Sequence, residues 1–109
     1  MRKSVRARVR ITLVPTEQGG RSTPVEPGLY SWRPDHDFGR PDGSLAIGEV
    51  DFDDNVSVMP GETREATATF ISAAGLLEDI GEGFEWRIRE GARHVGDGPI
   101  LQIQQIREG

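Results

Sequence analysis

The sequence predicts an all-β fold in which short antiparallel strands form a barrel or a sandwich. Apolar and polar side chains alternate along several segments, and this is the period of a half-buried strand. The 109 residues include 14 Gly and 7 Pro, so turns should be frequent. No segment has the length and apolar periodicity of a helix that could connect parallel strands. The strands should therefore follow one another through turns.

The first predicted strand covers residues 5–13. Its odd-numbered residues are apolar and its even-numbered residues are polar, so one face should meet a core and the other should meet water. Pro15 and the pair Gly19-Gly20 end this pattern. A second short strand is predicted at residues 29–32, followed by a polar loop over residues 33–44.

A third strand is predicted at residues 45–52, where Gly48 indicates a bulge or a sharp bend. The turn Met59-Pro60-Gly61 then leads to a fourth strand at residues 65–71, which carries β-branched side chains at alternate positions. Residues 73–80 have apolar spacings of three, but this segment is short and flanked by glycines, which favours a turn over a helix.

The last two strands are predicted at residues 84–88 and 100–106. Three glycines should form the return between them, namely Gly91, Gly96 and Gly98. Closing the strands into a barrel would remove exposed sheet edges. A chain of this length fits a single domain over residues 1–109.

The composition excludes several classes of function. Cysteine is absent, which rules out disulfides, thiolate catalysis and cysteine-based zinc sites. No continuous apolar run reads as a secretory signal or a membrane span, so we expect a cytoplasmic protein that does not bind a membrane. The chain has no G-x-x-x-x-G-K-[ST] sequence and no nucleophile-elbow context. We therefore expect no catalytic residue, no cofactor, no small-molecule substrate and no enzyme activity.

Two histidines lie beside carboxylates. Asp35-His36-Asp37 could bind a metal ion or raise the pKa of the imidazole. Neighbouring residues in an extended chain point to opposite faces, however, and a third ligand at a known spacing is missing. We interpret this tripeptide as a solvated loop, and His94 with Asp97 as turn residues. No metal site is predicted.

The charge distribution is uneven. The net charge is −5, yet no acidic residue precedes Glu17, so the rest of the chain is strongly acidic and should repel phosphate backbones. The basic start of the chain supplies candidate anion-binding residues, although a solvated strand face that protects a sheet edge also explains it. These candidates are Arg6, Arg8 and Arg10.

A second basic group lies near the C-terminus. Arg87 and Arg89 share one face of a predicted strand, and Arg93 follows the next turn. Together they could form a small basic patch that binds a partner or an RNA. A ladder of salt bridges across neighbouring strands is the alternative explanation.

Four motifs occur in a characteristic order. They are Gly19-Gly20-Arg21-Ser22-Thr23-Pro24, Trp32-Arg33-Pro34-Asp35, Met59-Pro60-Gly61, and the stretch F-E-W-R-I-R-E-G-A-R-H-V-G-D-G-P-I over residues 84–100. With these motifs the chain resembles the C-terminal domain, domain 3, of the translation elongation factor Tu family. The resemblance covers nearly the whole chain, and the GTPase domain that precedes this domain in the family is not part of it.

The resemblance implies a six-stranded antiparallel Greek-key β-barrel that packs on a GTPase domain and touches the T-stem of aminoacyl-tRNA. The implied RNA contacts are Glu90, Gly91 and Asp35, and Arg33 lies in the same segment as Asp35. Asp35 stands where the family has Gln, and an acidic residue there disfavours RNA. Arg87 replaces an Ala at the surface that meets the GTPase domain.

These observations predict a non-catalytic binding or interaction module. Its expected partner is a protein, such as a GTPase domain or a translation factor. Binding of tRNA or of the translation machinery is an alternative, which the net negative charge disfavours; it would use Arg87, Arg89, Glu90, Gly91 and Arg93. Self-association as a structural domain is the other alternative.

Overall fold

The computed structural model of the protein describes residues 2–73 and 75–108. Within these residues the chain forms seven strands, and every strand pairing is antiparallel. The order across the sheet is β3-β2-β6-β7-β1-β5-β4. The strands are β1 (Arg2–Leu13), β2 (Asp35–Asp37), β3 (Leu45–Ala46), β4 (Val50–Phe52), β5 (Thr63–Ala73), β6 (Glu85–Glu90) and β7 (Arg93–Glu108).

Strand β1 lies inside the sheet, between β5 and β7. Val5 is opposite Phe70 of β5 and Ile106 of β7, and the pairing with β5 continues along the strand to Thr12. The odd-numbered residues from Val5 to Leu13 are buried, whereas the even-numbered ones are exposed or partly exposed. The alternation in the sequence therefore predicts both the strand and its inward face.

Aromatic side chains from several elements meet in the core. Phe70 contacts Trp86 and Phe38 edge to face, with ring centroids 5.5 and 5.1 Å apart. Contacts of this geometry add about 1 kcal/mol each beyond the free energy of burying the area. The cluster packs β5 against β6 and against Phe38, the residue that follows β2.

The predicted all-β antiparallel class is confirmed. Within residues 2–73 and 75–108 the sheet has seven strands rather than six, because the strand predicted at residues 45–52 is divided into β3 and β4, and its strand order does not close into a ring. The division falls at Gly48, whose φ of 141° belongs to a backbone region that residues with a side chain rarely adopt. The sequence predicts this bend but not the change of strand partner that accompanies it, since β3 pairs with β2 and β4 with β5.

The prediction of a strand at residues 29–32 is wrong. Leu29 lies in a turn and is 80% exposed, and only Trp32 makes an isolated bridge, to Val50. Pro27 and Gly28 precede the segment, and the Leu29 and Tyr30 amides donate to the Glu26 carbonyl, which closes a turn. The strand β2 lies instead within residues 33–44, for which the sequence predicts a polar loop.

The segment after β5 contains no helix in its described part. Residues 75–79 form turns, as the flanking glycines predict, and Leu77 is buried. Ala74 lies outside the described residues. The return between β6 and β7 is shorter than predicted, because it consists of Gly91 and Ala92 alone. Gly96 and Gly98 lie inside β7, where they face β1 closely, since a Cβ on Gly98 would overlap the Arg10 carbonyl.

Across residues 2–73 and 75–108, the chain has no helix with the length and apolar character needed to cross a membrane.

Candidate functional site

The β6–β7 hairpin carries most of the predicted partner-binding residues. Its turn places Gly91 at a φ of 62°, a left-handed conformation that glycine adopts without strain. Arg87 and Arg93 are exposed, whereas Arg89 and Glu90 are partly buried. The structure therefore brings these residues together on one hairpin but divides them into two groups by exposure.

Arg89 binds a carboxylate of the neighbouring strand. Its Nε donates to Asp37 Oδ2 at 2.7 Å. Partial burial by itself would raise the pKa of Asp37, but the hydrogen bonds from Arg89 and from the Gly39 amide, with the nearby positive charges, outweigh it and lower the pKa. This pair neutralises much of the positive charge of Arg89.

The remaining charges of this face alternate in sign. Arg87 is opposite Asp97 on β7 and opposite Asp37 on β2, and Asp35 is opposite Arg89. Only part of the predicted ladder of cross-strand salt bridges forms among the described residues, because Arg89 pairs with Asp37 while Arg87 has no carboxylate within 4.0 Å. The net charge of this face is small, so it offers little attraction to a phosphate backbone.

Glu90 points toward the loop that follows β1 rather than toward solvent. Its Oε2 accepts a hydrogen bond from Trp32 Nε1 at 2.9 Å and forms an ion pair with Arg21. Arg21 also donates to the Pro24 carbonyl at 3.3 Å and to the Tyr30 hydroxyl at 3.2 Å. These contacts of Glu90 and Arg21 hold residues 21–32 against the end of the β6–β7 hairpin.

Arg21 is a residue that reasoning from the sequence missed as part of the site. It stands in the Gly-Gly-Arg-Ser-Thr-Pro motif, which in the sequence indicates only the family resemblance. The motif needs an arginine because five N–H donors in a fixed fork can satisfy a carboxylate and several loop oxygens together.

Replacing Glu90 with Ala should lower the free energy of unfolding by about 2 kcal/mol, because the buried Trp32 N–H and the Arg21 guanidinium lose their shared acceptor. Urea denaturation measures the change. Glu85→Ala is the matched control, since Glu85 is an exposed residue of the same strand. Equal stability of the two variants would contradict the assigned role of Glu90.

The predicted anion-binding arginines differ in their surroundings. Arg8 donates to both carboxylate oxygens of Asp53, at 2.7 and 2.5 Å, and the hydrogen bond to Asp53 outweighs partial desolvation and raises the pKa of the guanidinium. Arg10 lies 3.3 Å from Glu65. Arg6 is exposed on the same strand. Carboxylates of the same chain thus bind two of the three arginines, Arg8 and Arg10.

Arg33 and Arg93 lie on the surface, at the outer ends of the candidate site. The Arg33 side chain is exposed, and its closest carboxylate contact is with Glu49 at 3.9 Å. Arg93 Nη1 donates to the Gly20 carbonyl at 3.4 Å. Both guanidinium groups are available to a partner.

The interpretation of His36 as a loop residue in solvent is wrong. His36 is the central residue of β2 and is fully buried. Its Nδ1 accepts a hydrogen bond from Trp86 Nε1 at 3.1 Å, and its Nε2 lies 3.0 Å from the Gly48 carbonyl oxygen. An indole N–H only donates and a carbonyl only accepts, so the ring is neutral with its proton on Nε2.

The neutral state of His36 follows from its position. Burial lowers its pKa to about 4, against a smaller opposite effect of the hydrogen bond to Gly48. The alternation of β2 turns Asp35 and Asp37 away from the ring. His94 and Asp97 lie within β7 rather than in a turn. Among the residues that the structure describes, no group of three or more His, Asp or Glu side chains could hold a metal ion.

The chain is similar in sequence to part of a curated protein. No protein-family model matches the chain. A curated protein, elongation factor Tu 2 of Streptomyces avermitilis, is 31% identical to it over 101 residues. The aligned part covers 93% of this chain but only 23% of the length of that protein. The chain is thus similar, over nearly all of its length, to less than a quarter of elongation factor Tu 2.

Proposed function

We propose that this chain is a non-catalytic interaction domain, related to the C-terminal domain of elongation factor Tu, and that it binds a protein partner. The observation that carries the proposal is the similarity of nearly the whole chain to less than a quarter of elongation factor Tu 2. A segment of this size corresponds to one domain of a multidomain protein. The sequence also has no phosphate-binding G-x-x-x-x-G-K-[ST] motif.

We also propose that the strands form a closed barrel of six strands, and the pairing within the sheet supports this. Strands β3 and β4 are two halves of one segment, the first paired with β2 and the second with β5. Between them the Ile47 amide donates to the Ile71 carbonyl at 3.0 Å, and the Ile71 amide donates back at 2.7 Å. If β3 and β4 are counted as one strand bent at Gly48, six strands surround the core and each has two neighbours.

A protein partner is favoured over RNA by the charges of the site. The chain has 18 acidic and 13 basic residues, and affinity for nucleic acid depends mainly on cations that are free to neutralise phosphates. Arg89 is bound to Asp37, and Glu90 is bound to Arg21. Two of the residues that the RNA-binding alternative would use are therefore bound to other residues of the domain. We propose Arg33, Arg87 and Arg93 as contacts to a protein surface.

The partner we propose is a GTPase domain of the elongation factor Tu type, bound in trans in the cytoplasm. Its acidic or polar surface would meet the exposed hairpin, where Arg87 lies. Within the described residues, neither Arg87 nor Arg93 has a carboxylate within 4.0 Å, so both can form new ion pairs without breaking internal ones. Charges of this kind steer association and specify the partner.

The double variant Arg87→Glu with Arg93→Glu should weaken binding to an added GTPase domain about tenfold or more, because two attractive charges become repulsive. Isothermal titration calorimetry measures the affinity. Arg2→Glu with Arg6→Glu is the control, since it makes the same charge change on two other exposed residues, both on β1.

Two other outcomes would overturn the proposal. Salt-sensitive binding of tRNA that the same double variant abolishes would assign the hairpin to RNA. Sedimentation that shows dimers of the isolated chain, and no complex with a GTPase domain, would favour self-association. The exposed Leu29, Val56 and Met59 are apolar side chains that such a contact would bury.

A further inference from the structure

We infer that the outer face of the sheet carries a binding site for a tetrahedral oxyanion, such as a phosphate group. The site consists of Ser4 and Arg6 on β1, Thr69 on β5, and Gln105 and Arg107 on β7. It lies at the end of β7 that is remote from the β6–β7 hairpin turn. The inference goes beyond the proposed interaction function and does not depend on it.

Strand register brings these five side chains together. Arg6 is opposite Gln105 on one side and opposite Thr69 on the other, and Ser4 is opposite Arg107. All five point away from the core, because they occupy the outward positions of the alternation in β1 and the positions opposite them. They line a shallow cavity of about 230 Å³.

The chemistry of the lining matches an oxyanion. It comprises two guanidinium groups, two hydroxyls and an amide, and none of the five side chains is a carboxylate. Guanidinium groups bind phosphate oxygens through paired N–H donors, and hydroxyls add further donors. Such a lining offers donors on several sides of one small anion.

The charge of the site is not compensated within the described chain. Arg6 and Arg107 have no carboxylate within 4.0 Å among the described residues, whereas Arg8 and Arg10 on the same face are bound to Asp53 and Glu65. Arg6 and Arg107 are diagonal neighbours on β1 and β7, close enough for two long side chains of like charge to repel each other. The chain has 18 acidic residues, yet none of the described ones lies within 4.0 Å of either arginine. An external anion would remove the repulsion.

Gln105 holds one of the two arginines in place. In the amide orientation that satisfies both groups, its side-chain oxygen accepts from Arg107 Nη2 at 3.2 Å and from Arg107 Nε at 3.3 Å. An arginine held in this way loses less conformational freedom on binding an anion, which strengthens the binding.

The site differs from the one that the sequence predicts. That prediction groups Arg6 with Arg8 and Arg10, because the three residues alternate along one strand. The cross-strand neighbours divide them, since carboxylates bind Arg8 and Arg10 while Arg6 meets Arg107 from the far end of the chain. Only the sheet register could reveal Arg107 as the second cation.

Titration of the purified chain with sodium phosphate at constant ionic strength tests the site. Amide NMR shifts of residues in β1 and β7 around the cavity should move and saturate with phosphate and with sulfate, and sodium chloride should not move them in this way. Arg6→Gln and Arg107→Gln should each weaken phosphate binding about tenfold or more, because each removes charge-assisted hydrogen bonds. The matched control is Arg10→Gln, which removes one charge from the same face of the same strand and should keep the affinity.

A second measurement guards against variants that are merely less stable. Phosphate should raise the thermal midpoint of the unmodified chain and of Arg10→Gln, and should leave those of Arg6→Gln and Arg107→Gln nearly unchanged. A 5′-mononucleotide that binds more tightly than inorganic phosphate would identify a nucleotide as the source of the phosphate, and equal affinity would identify free phosphate. The absence of saturable shifts, or equal weakening by all three variants, would overturn the inference.

Discussion

Gly48→Ala should destabilise the protein by about 3 kcal/mol or more, which for a domain of this size removes a large part of the stability. Gly48 has a φ of 141°, and a Cβ at this position would overlap the carbonyl oxygen of Thr69. The obstacle is backbone of a paired strand, which cannot move aside as a flexible side chain can. The Gly48 carbonyl also accepts from His36, so any shift of the bend disturbs the core.

Urea denaturation followed by tryptophan fluorescence measures this change. Gly81→Ala is the matched control, because Gly81 has no positive φ and a Cβ there would meet nothing within 4 Å. Its effect should stay within about 0.5 kcal/mol. A Gly48→Ala variant as stable as Gly81→Ala would mean that the bend between β3 and β4 tolerates a side chain, and the proposed barrel closure would lose its main physical reason.

The strands with strict alternation could be predicted from the sequence, and the irregular segments could not. The odd-numbered residues of β1 are buried as predicted, because the pattern of apolar side chains alone determines which face turns inward. β2 has only three residues, of which two are aspartates, so no alternation of apolar and polar residues predicts this strand. The burial of His36, its central residue, depends on hydrogen bonds from Trp86 and to Gly48, which are distant in sequence.

The candidate surface was predictable as a set of residues but not as a set of free charges. The basic residues of the β6–β7 hairpin lie together, as their spacing predicts. Which of them are available depends on carboxylates from other strands, such as Asp37 for Arg89. Pairing across strands depends on register, which the turns and bulges of the whole sheet determine, so a single sequence does not reveal it.

The stability of the protein should fall by about 3 kcal/mol as the pH decreases from 6.5 to about 4, through His36 alone. In the unfolded chain this imidazole takes up a proton near its ordinary pKa of 6.5, and in the folded chain it does so only near 4. Between these values the unfolded state binds more protons, so acid favours unfolding. Above pH 6.5 both states carry a neutral ring, and the contribution is fully present. The lowered pKa values of Asp37, Asp53 and Glu62 act at lower pH, since these carboxyl groups have ordinary values of 3.8 to 4.5.

Unfolding free energies measured in urea at a series of pH values test this prediction. His94→Gln is the control, because it removes the other histidine and should leave a slope of about 1.4 kcal/mol per pH unit within the window. His36→Leu should be less stable at neutral pH, since the Trp86 N–H loses its acceptor and the Gly48 carbonyl its donor, but its stability should not change over the same window. If His36→Leu does not fold, imidazole NMR of the unmodified chain decides the question. The His36 ring should remain in the neutral form with its proton on Nε2 at pH 5, and a charged ring at that pH would contradict the assignment.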